Sequence, residues 1–375
     1  MNAIVLKNYF LRIVFIITLL LLIKVLFLPF YPDFKVHYFG ASHIIRGENP
    51  YINDANYFTP QAYPPFDMVI FIPFTLLSLE AASKLWVILS IVLVVWSIYL
   101  CCRIYRRPFY SQINLFIYSL IFISFPLKFT LGMGQINALI LFFVVLGFYF
   151  LNMKKNSVVG ISLAFPIMLK FFPLLLVPYF VILRKWKILS ALFLTVFFLL
   201  LLTFVFFSMN EIAYYFRYIL PDLFSSWKGD YYNQALSGFL MRSVSDPILR
   251  NTFRIIISLI LLIVNFIIIV SKKTKNIKRI NLEIASLLIL SVLINSFSWQ
   301  HHFIFLILPF IIIFYALQNQ SKSVFLYIFL AISYILISIN FKNPNILPLL
   351  FQSHVFFGGL ILWIINLYML LKYKI

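Results

Sequence analysis

Asp33 is the residue whose chemistry most needs explaining. It stands in Tyr31-Pro-Asp-Phe-Lys-Val-His-Tyr38, a few residues beyond an apolar run of membrane-spanning length. A charge at that depth is costly unless it is paired or used. A carboxylate there can take a proton from a hydroxyl as a general base. The plainer alternative is an interfacial carboxylate that pairs with Lys35 or caps a short helix. Lys170, in Met168-Leu-Lys-Phe-Phe-Pro173, is an ammonium inside apolar sequence. A lipid phosphate would compensate it, and a lysine snorkelling to the bilayer edge would need no such partner.

Further polar groups can join these two. Gly132-Met-Gly-Gln-Ile-Asn137 offers Gln135 and Asn137 to a sugar, although such residues also serve as plain caps. Asn233-Gln-Ala-Leu-Ser-Gly-Phe-Leu-Met-Arg242 sets Asn233 and Gln234 ahead of an arginine, whose fork of donors suits a phosphate. A lone loop arginine is more often solvated. In Trp299-Gln-His-His302, His301 and His302 can donate to a phosphate or orient a carboxylate, while Trp299 fits an interfacial aromatic belt. Gly47-Glu-Asn-Pro-Tyr51 and Tyr63-Pro-Pro65 read locally as a turn and as a rigid loop leading into a helix. The chain has no His-x-x-x-His, no Walker loop, no Gly-x-Gly-x-x-Gly opening a helix and no cysteine cluster, so ATP, dinucleotide and zinc chemistry are unsupported and no cofactor is expected. The adjacent Cys101 and Cys102 have no redox or metal role.

The elements that must position these residues are membrane helices. The chain is 63% hydrophobic and 11% charged, with a mean hydropathy of +1.03, which places it among polytopic membrane proteins. Lipid leaves every backbone polar group to be satisfied within its own segment, and the apolar blocks do not alternate as barrel strands would, so the spans are α-helical. Their length and flanks predict spans near 10–28, 84–102, 109–127, 136–152, 188–208, 252–271, 282–299, 303–318, 324–340 and 355–371. Residues 157–183 are too long for one crossing and short for two, and read as a hairpin of broken helices with Lys170 near its turn. Residues 67–79 read as interfacial or re-entrant. The first run, after Lys7 and Arg12, reads as a retained signal anchor. The expectation is one integral membrane domain over 1–375, with outer loops at 29–83 and 209–251.

The net charge of +20 is a matter of topology and does not mark a nucleic-acid partner. Eighteen of the 30 basic residues lie in Lys7/Arg12, Arg103/Arg106/Arg107, Lys154/Lys155, Arg184/Lys185/Lys187, Lys272/Lys273/Lys275/Lys278/Arg279, Lys322 and Lys372/Lys374. All fall on one side if the N-terminus is cytoplasmic, as the positive-inside rule requires, with some attraction to anionic membrane lipid. Nine of the ten acidic residues then lie on the outer side or its interface, leaving only Glu283 near the inner face.

In their order along the chain, Asp33 with Tyr38, Gly47…Pro50-Tyr51, Tyr63-Pro-Pro65 with Pro73, Gly134-Gln135…Asn137, Lys170…Pro173, Asn233-Gln234…Gly238…Arg242 and Trp299…His301-His302…Pro309 resemble glycosyltransferase family 87. These are mannosyltransferase-like membrane enzymes of the GT-C superfamily that use polyprenyl-phosphate sugars. The resemblance runs from about residue 30 to 310. It implies an all-α, GT-C-like bundle of about 10–13 transmembrane helices, multi-pass in the cell membrane, with its active site on the extracytoplasmic side. It implies Asp33 as catalytic base, and a Tyr-Pro-Pro loop that shapes the cavity. Substrate contacts would come from Lys170, Arg242, His301, His302, Gln135, Asn137, Asn233, Gln234, Tyr38 and Tyr63. Position 235 is Ala where the family more often resembles Asn-Gln-Ser, with Ser237 two residues on.

The implied reaction moves a mannose-like hexose from a polyprenyl-phosphate donor to a glycan or glycolipid acceptor. A phosphate leaving group needs cationic stabilisation and no general acid, and direct displacement inverts the anomeric carbon. A lipid-linked glycan polymerase or ligase would carry a large arginine-rich loop later in the chain. A lipid or solute transporter would show a repeat between its halves, and none is found. A scaffold has no use for Asp33.

The charge pattern predicts that Lys154, Arg184 and Lys275 face the cytoplasm and that Asp54 and Asp230 face outward. In a chain freed of Cys101 and Cys102, single cysteines at these positions should react with an impermeant reagent on intact cells only at 54 and 230. Labelling of position 275 from outside would overturn the arrangement.

Overall fold

The computed structural model describes residues 3–51, 61–226, 229–271, 276–296, 298–320 and 323–372. Asp54 and Lys275, two of the topological markers above, lie outside the described residues. Every named element is helical: α1 Ala3–Ile23, α2 Pro32–Ile45, α3 Pro65–Phe71, α4 Leu79–Ile104, α5 Gln112–Ile123, α6 Phe125–Met133, α7 Asn137–Asn152, α8 Asn156–Lys170, α9 Leu176–Ile182, α10 Trp186–Phe206, α11 Met209–Tyr214, α12 Leu220–Ser226, α13 Leu236–Ser243, α14 Pro247–Ser271, α15 Ile277–Leu293, α16 Ile307–Gln320, α17 Val324–Ser338, α18 Leu349–Gln352 and α19 His354–Lys372. The protein is an all-α polytopic membrane protein.

Among the described residues, six stretches are long and apolar enough to cross a membrane: Tyr9–Phe27, Leu79–Ile104, Trp186–Phe206, Pro247–Ser271, Gln300–Gln318 and His354–Lys372. A seventh arises if α5 and α6, bent by 54° at their junction, form one broken span. The runs expected as spans at 136–152, 282–299 and 324–340 form the shorter helices α7, α15 and α17, of 16, 17 and 15 residues. Residues 157–183 hold α8 and α9, with Lys170 the last residue of α8. Residues 67–79 hold the end of α3 and a 3₁₀ turn, Ile72–Leu76, together too short to cross. The stretches expected as outer loops are themselves largely helical, carrying α2 and α3 in the first and α11 to α13 in the second.

The chain divides into two compact units, Met1–Ile123 with Leu127–Ser225, and Ser124–Pro126 with Ser226–Ile375. In the first, α7 and α8 form a hairpin, with α4 against α7, α10 beside α8 and α1 against α5. A Cβ on Gly160 of α8 would lie 2.2 Å from the Ile188 carbonyl of α10, so the two backbones meet near the starts of both helices. Small residues at helix crossings permit such approach where lipid supplies no hydrophobic drive. The Lys154–Lys155 turn and the Arg184–Lys185 turn therefore lie at one end of this unit, and Lys170 lies at the other end of α8.

In the second unit α15 is enclosed, with α14, α16 and α19 packed around it. Arg279 is 1% exposed; it donates to the Glu283 carboxylate at 3.0 Å, to the Leu370 carbonyl at 2.8 Å and to the Ile268 carbonyl at 3.0 Å. Its charge, grouped in sequence with the inner basic cluster, instead clamps the ends of α14 and α19 onto α15. Glu283, the one acidic residue expected on the inner side, is there as its counter-ion.

Removing one member of a buried pair strands the other, at a cost of about 3–5 kcal/mol. Glu283→Ala should therefore lower the unfolding temperature in detergent sharply. The double change Arg279→Met, Glu283→Met should recover only part of it, because the Ile268 and Leu370 carbonyls lose their donor, and a Glu283→Ala variant as stable as the parent would contradict the clamp.

Candidate active site

Asp33 is placed by the chain around it. Pro32 occupies the first turn of α2, where a missing N–H costs nothing, and a carboxylate in that turn faces the positive end of the helix. Phe34 turns inward against the edges of Phe71 and Phe74. Asp33 itself is 7% exposed. Its Oδ2 accepts a hydrogen bond from Gln135 Nε2, and no side chain among the described residues engages Oδ1. Lys35, the partner expected under the plainer reading, forms no ion pair with it.

Gln135 reaches Asp33 because Gly134 precedes it. Gly134 has φ +72°, and a Cβ there would lie 2.6 Å from Cβ of Phe34, so only glycine lets this strand of backbone meet α2. The Gly134 carbonyl is fixed by Trp86 Nε1 at 3.0 Å. The Gln135 amide then has one orientation. Its Nε2 donates to Asp33 and, at 2.9 Å, to the Tyr63 hydroxyl, and its Oε1 accepts from Lys170 Nζ at 2.8 Å. Lys170 also donates to Asn137 Oδ1 at 2.9 Å and lies 5.4 Å from the Tyr63 ring centroid. The hairpin explains this meeting: Asn137 starts α7, Lys170 ends α8, and both ends lie on the side opposite the connecting turn.

Tyr63-Pro-Pro65 delivers Tyr63 and opens α3, with Pro65 in its first turn. Gln61 ties this segment to α2 by donating to the Val36 carbonyl at 3.2 Å, and Tyr51 Oη donates to the Tyr63 carbonyl at 3.0 Å. Tyr38 Oη donates to the Leu77 carbonyl at 2.9 Å.

Two residues that sequence reasoning did not single out complete the cluster. His37 Nδ1 and Asp67 Oδ2 are 2.6 Å apart, and both side chains are fully buried. The His37 ring stacks on Phe71 at 4.3 Å and lies 4.1 Å from the Tyr63 ring. The four-residue spacing from Asp33 puts His37 on the same face of α2 and was legible. Its partner, thirty positions away, was not.

Burial pushes the Asp33 carboxyl above the usual carboxylate range, while the Gln135 hydrogen bond and the nearby His37 and Lys170 pull it back. Burial and the neighbouring carboxylates of Asp33 and Asp67 push the Tyr63 phenol well up, so it stays neutral.

The second unit gathers the remaining sequence candidates into an internal knot. Asn233 Oδ1 accepts from the Ala235 N–H at 3.2 Å and the Ser298 N–H at 3.1 Å. Gln234 donates to the carbonyls of Tyr231 and Gln352 and accepts from the Val355 N–H. Arg242 donates to Ser353 Oγ and to the carbonyls of Asp230 and Asn233. Burial lowers it to about 10, which leaves it charged at neutral pH. His302 Nδ1 accepts from the Trp299 N–H at 3.0 Å, and His301 is buried beside it. Because position 235 contributes its backbone N–H, Ala in place of Ser leaves this pattern intact, and Ser237 binds Asn233 instead.

These features define a helical membrane protein with a buried carboxylate–amide–ammonium chain. Residues 61–296 match glycosyltransferase family 87, and the protein belongs to that family. The matched range holds Tyr63, Gln135, Asn137, Lys170, Asn233, Gln234 and Arg242. Asp33 and Tyr38 precede it, and His301 and His302 follow it. No curated protein matches the sequence. Among solved structures the chain is similar to ArnT from Cupriavidus metallidurans bound to undecaprenyl phosphate, at 11% identity and a TM-score of 0.41, over 98% of this chain and 76% of that one.

If Asp33 acts as a base it must be ionised, so activity is lost as pH falls through its raised titration. Lys170→Ala removes a cation that lowers that titration, and the acid limb of the pH–rate profile should move to higher pH. Lys170→Arg should hold it near the parent position. A limb unmoved by Lys170→Ala would show that the ammonium does not act on Asp33.

Proposed function

We propose that this family 87 glycosyltransferase moves a mannose-like hexose from a polyprenyl-phosphate sugar to a glycan or glycolipid acceptor at the outer face of the membrane, with inversion and with Asp33 as general base. The observation that carries this reading is the state of Asp33: nearly buried, held through Oδ2 by Gln135, with Oδ1 not engaged by the described residues. An acceptor hydroxyl meeting Oδ1 loses its proton as its oxygen attacks the anomeric carbon. The lipid phosphate departs with the bonding electrons and needs only positive charge to receive it. Lys170 is the ammonium nearest that chemistry.

In this mechanism Gln135 and Asn137 work through Lys170 and Asp33, and Tyr63 walls the same space. Tyr38 anchors α2 to the turn at Leu77. Asn233, Gln234, Arg242, His301 and His302 shape the second unit from within. The outward orientation is supported by the α7–α8 hairpin. Its turn carries Lys154 and Lys155, which the positive-inside rule sets in the cytoplasm, and a helix of α7's length is about 24 Å long, so Lys170 lies near the opposite face.

Deletion of the gene should cause a polyprenyl-phosphate sugar to accumulate and one envelope glycan to disappear, read by lipid-linked sugar profiling. Asp33→Asn keeps size and hydrogen bonding but removes basicity. It should reach the membrane normally and lower transfer by about 10²-fold or more, with a trace of activity in Asp33→Glu. Transfer by Asp33→Asn at a near-parental rate would refute the assignment.

A further inference from the structure

Trp86, in α4, is the largest fully buried side chain among the described residues, and both its polar and its apolar sides are in use. A buried indole N–H needs an acceptor. Trp86 Nε1 has one in the Gly134 carbonyl, at 3.0 Å. The other edge of the same peptide unit is also held, because the Gln135 N–H donates to the Thr130 carbonyl at 2.9 Å. The Gly134 N–H donates to the Leu131 carbonyl at 3.1 Å, so α6 ends in a Schellman turn with the left-handed glycine in its usual place. The Gly134–Gln135 peptide plane cannot rotate without breaking one of these bonds. Its held plane fixes the direction in which the Gln135 side chain leaves the backbone, toward Asp33, Tyr63 and Lys170.

The apolar side of the indole supports the other partner of that amide. The Trp86 ring lies 4.6 Å from Phe71 and 5.5 Å from Phe74, centroid to centroid. Both phenyl rings meet Phe34 edge to face, at 5.9 and 6.1 Å, and Phe34 follows Asp33 in α2. One side chain therefore bears on the amide through its N–H and on the helix of the carboxylate through its ring. A residue kept only to fill this apolar space would need no N–H, since a phenyl ring fills it with no polar atom to satisfy.

We propose that Trp86 is a positioning residue of the transfer reaction, its indole N–H setting the direction of the Gln135 amide and through it the alignment of Asp33; this rests on the reading of Asp33 as general base. The indole touches no substrate and moves no proton. Its effect is geometric: a peptide free to pivot at the root of Gln135 would spread the amide over several positions, and Asp33 would lose its fixed donor. Misplacement of a catalytic group by about 1 Å can cost about 10²-fold in rate. One neutral hydrogen bond, acting at a distance from the reacting atoms, should cost about tenfold.

The test removes the N–H and keeps the ring. 3-Benzothienylalanine installed at position 86 retains the bicyclic shape with sulfur in place of the N–H, and Trp86→Phe is its genetically encoded counterpart. Both are assayed with Gln135→Ala, Asp33→Asn and the Trp86→Phe, Gln135→Ala combination, in membranes carrying the native acceptor, with polyprenyl-phosphate mannose as donor and release of polyprenyl phosphate as readout. The benzothienyl protein should show an apparent kcat lower by about tenfold, an unchanged KM for the donor, and an unfolding temperature in detergent lower by only a few degrees. The acid limb of its pH–rate profile should move to higher pH, because the Gln135 hydrogen bond that lowers the Asp33 titration is weakened. In the Gln135→Ala background Trp86→Phe should cost nothing further, since the amide it directs is gone. A parental kcat and an unmoved acid limb, with Asp33→Asn inactive, overturn the positioning role and leave the base assignment standing. An equal fall with and without the Gln135 amide makes Trp86 structural and also overturns it. Should the benzothienyl protein fail to accumulate, or Gln135→Ala turn over too slowly to compare, the acid limb of Trp86→Phe decides, because its position does not depend on the amount of enzyme. Transfer by Asp33→Asn at a near-parental rate removes the reading beneath the proposal.

Discussion

A carboxylate withdrawn from water is tolerable only when its charge is answered, and in this protein the answer is the Gln135 amide. One end of that amide donates to Asp33 and the other accepts from Lys170, so a neutral group carries the influence of an ammonium to a carboxylate that it does not touch. A direct Lys–Asp contact would have occupied the carboxylate. The bridge leaves Asp33 oriented, with one oxygen not engaged by the described residues.

Much of the first unit follows from the need to bring three chain segments to that amide. Gly134 is the position at which no side chain is allowed, because a Cβ would strike Phe34 and the backbone is left-handed there. The α7–α8 hairpin returns Lys170 to the start of α7, and the close crossing at Gly160 holds α8 against α10. Tyr63-Pro-Pro65 sets the floor of the site by opening α3 at a rigid corner, and Gln61 and Gly40 let that segment lie directly on α2, a Cβ at Gly40 falling 2.3 Å from Gln61 Nε2.

The second unit uses polar residues differently. Asn233, Gln234 and Arg242 direct their hydrogen bonds to backbone carbonyls, N–H groups and serine hydroxyls of their own unit. In apolar surroundings each such bond satisfies a backbone group that would otherwise be stranded. Their side chains therefore hold irregular backbone in place. Arg279 does the same at the ends of α14 and α19, with Glu283 supplying the opposite charge.

The sequence by itself determined what depends on local composition. Helical membrane spans, the break near Lys170 and the short 67–79 segment could be read, because hydrophobic length and helix-breaking residues act over short stretches of chain. The family motifs named Gln135, Asn137, Lys170 and Tyr63 as well, but only as separate candidates for touching a substrate. That they touch one another was decided by tertiary structure, since the Asp33–Gln135 bond joins residues 102 positions apart and nothing local records it. The same holds for His37 and Asp67. His37 was visible as a neighbour of Asp33 by helical spacing, while Asp67 looked like one more outer acid. Only the packing of α3 onto α2 turned the two into a buried pair, because a hydrogen bond is made by proximity in space and sequence controls that proximity only through the whole fold.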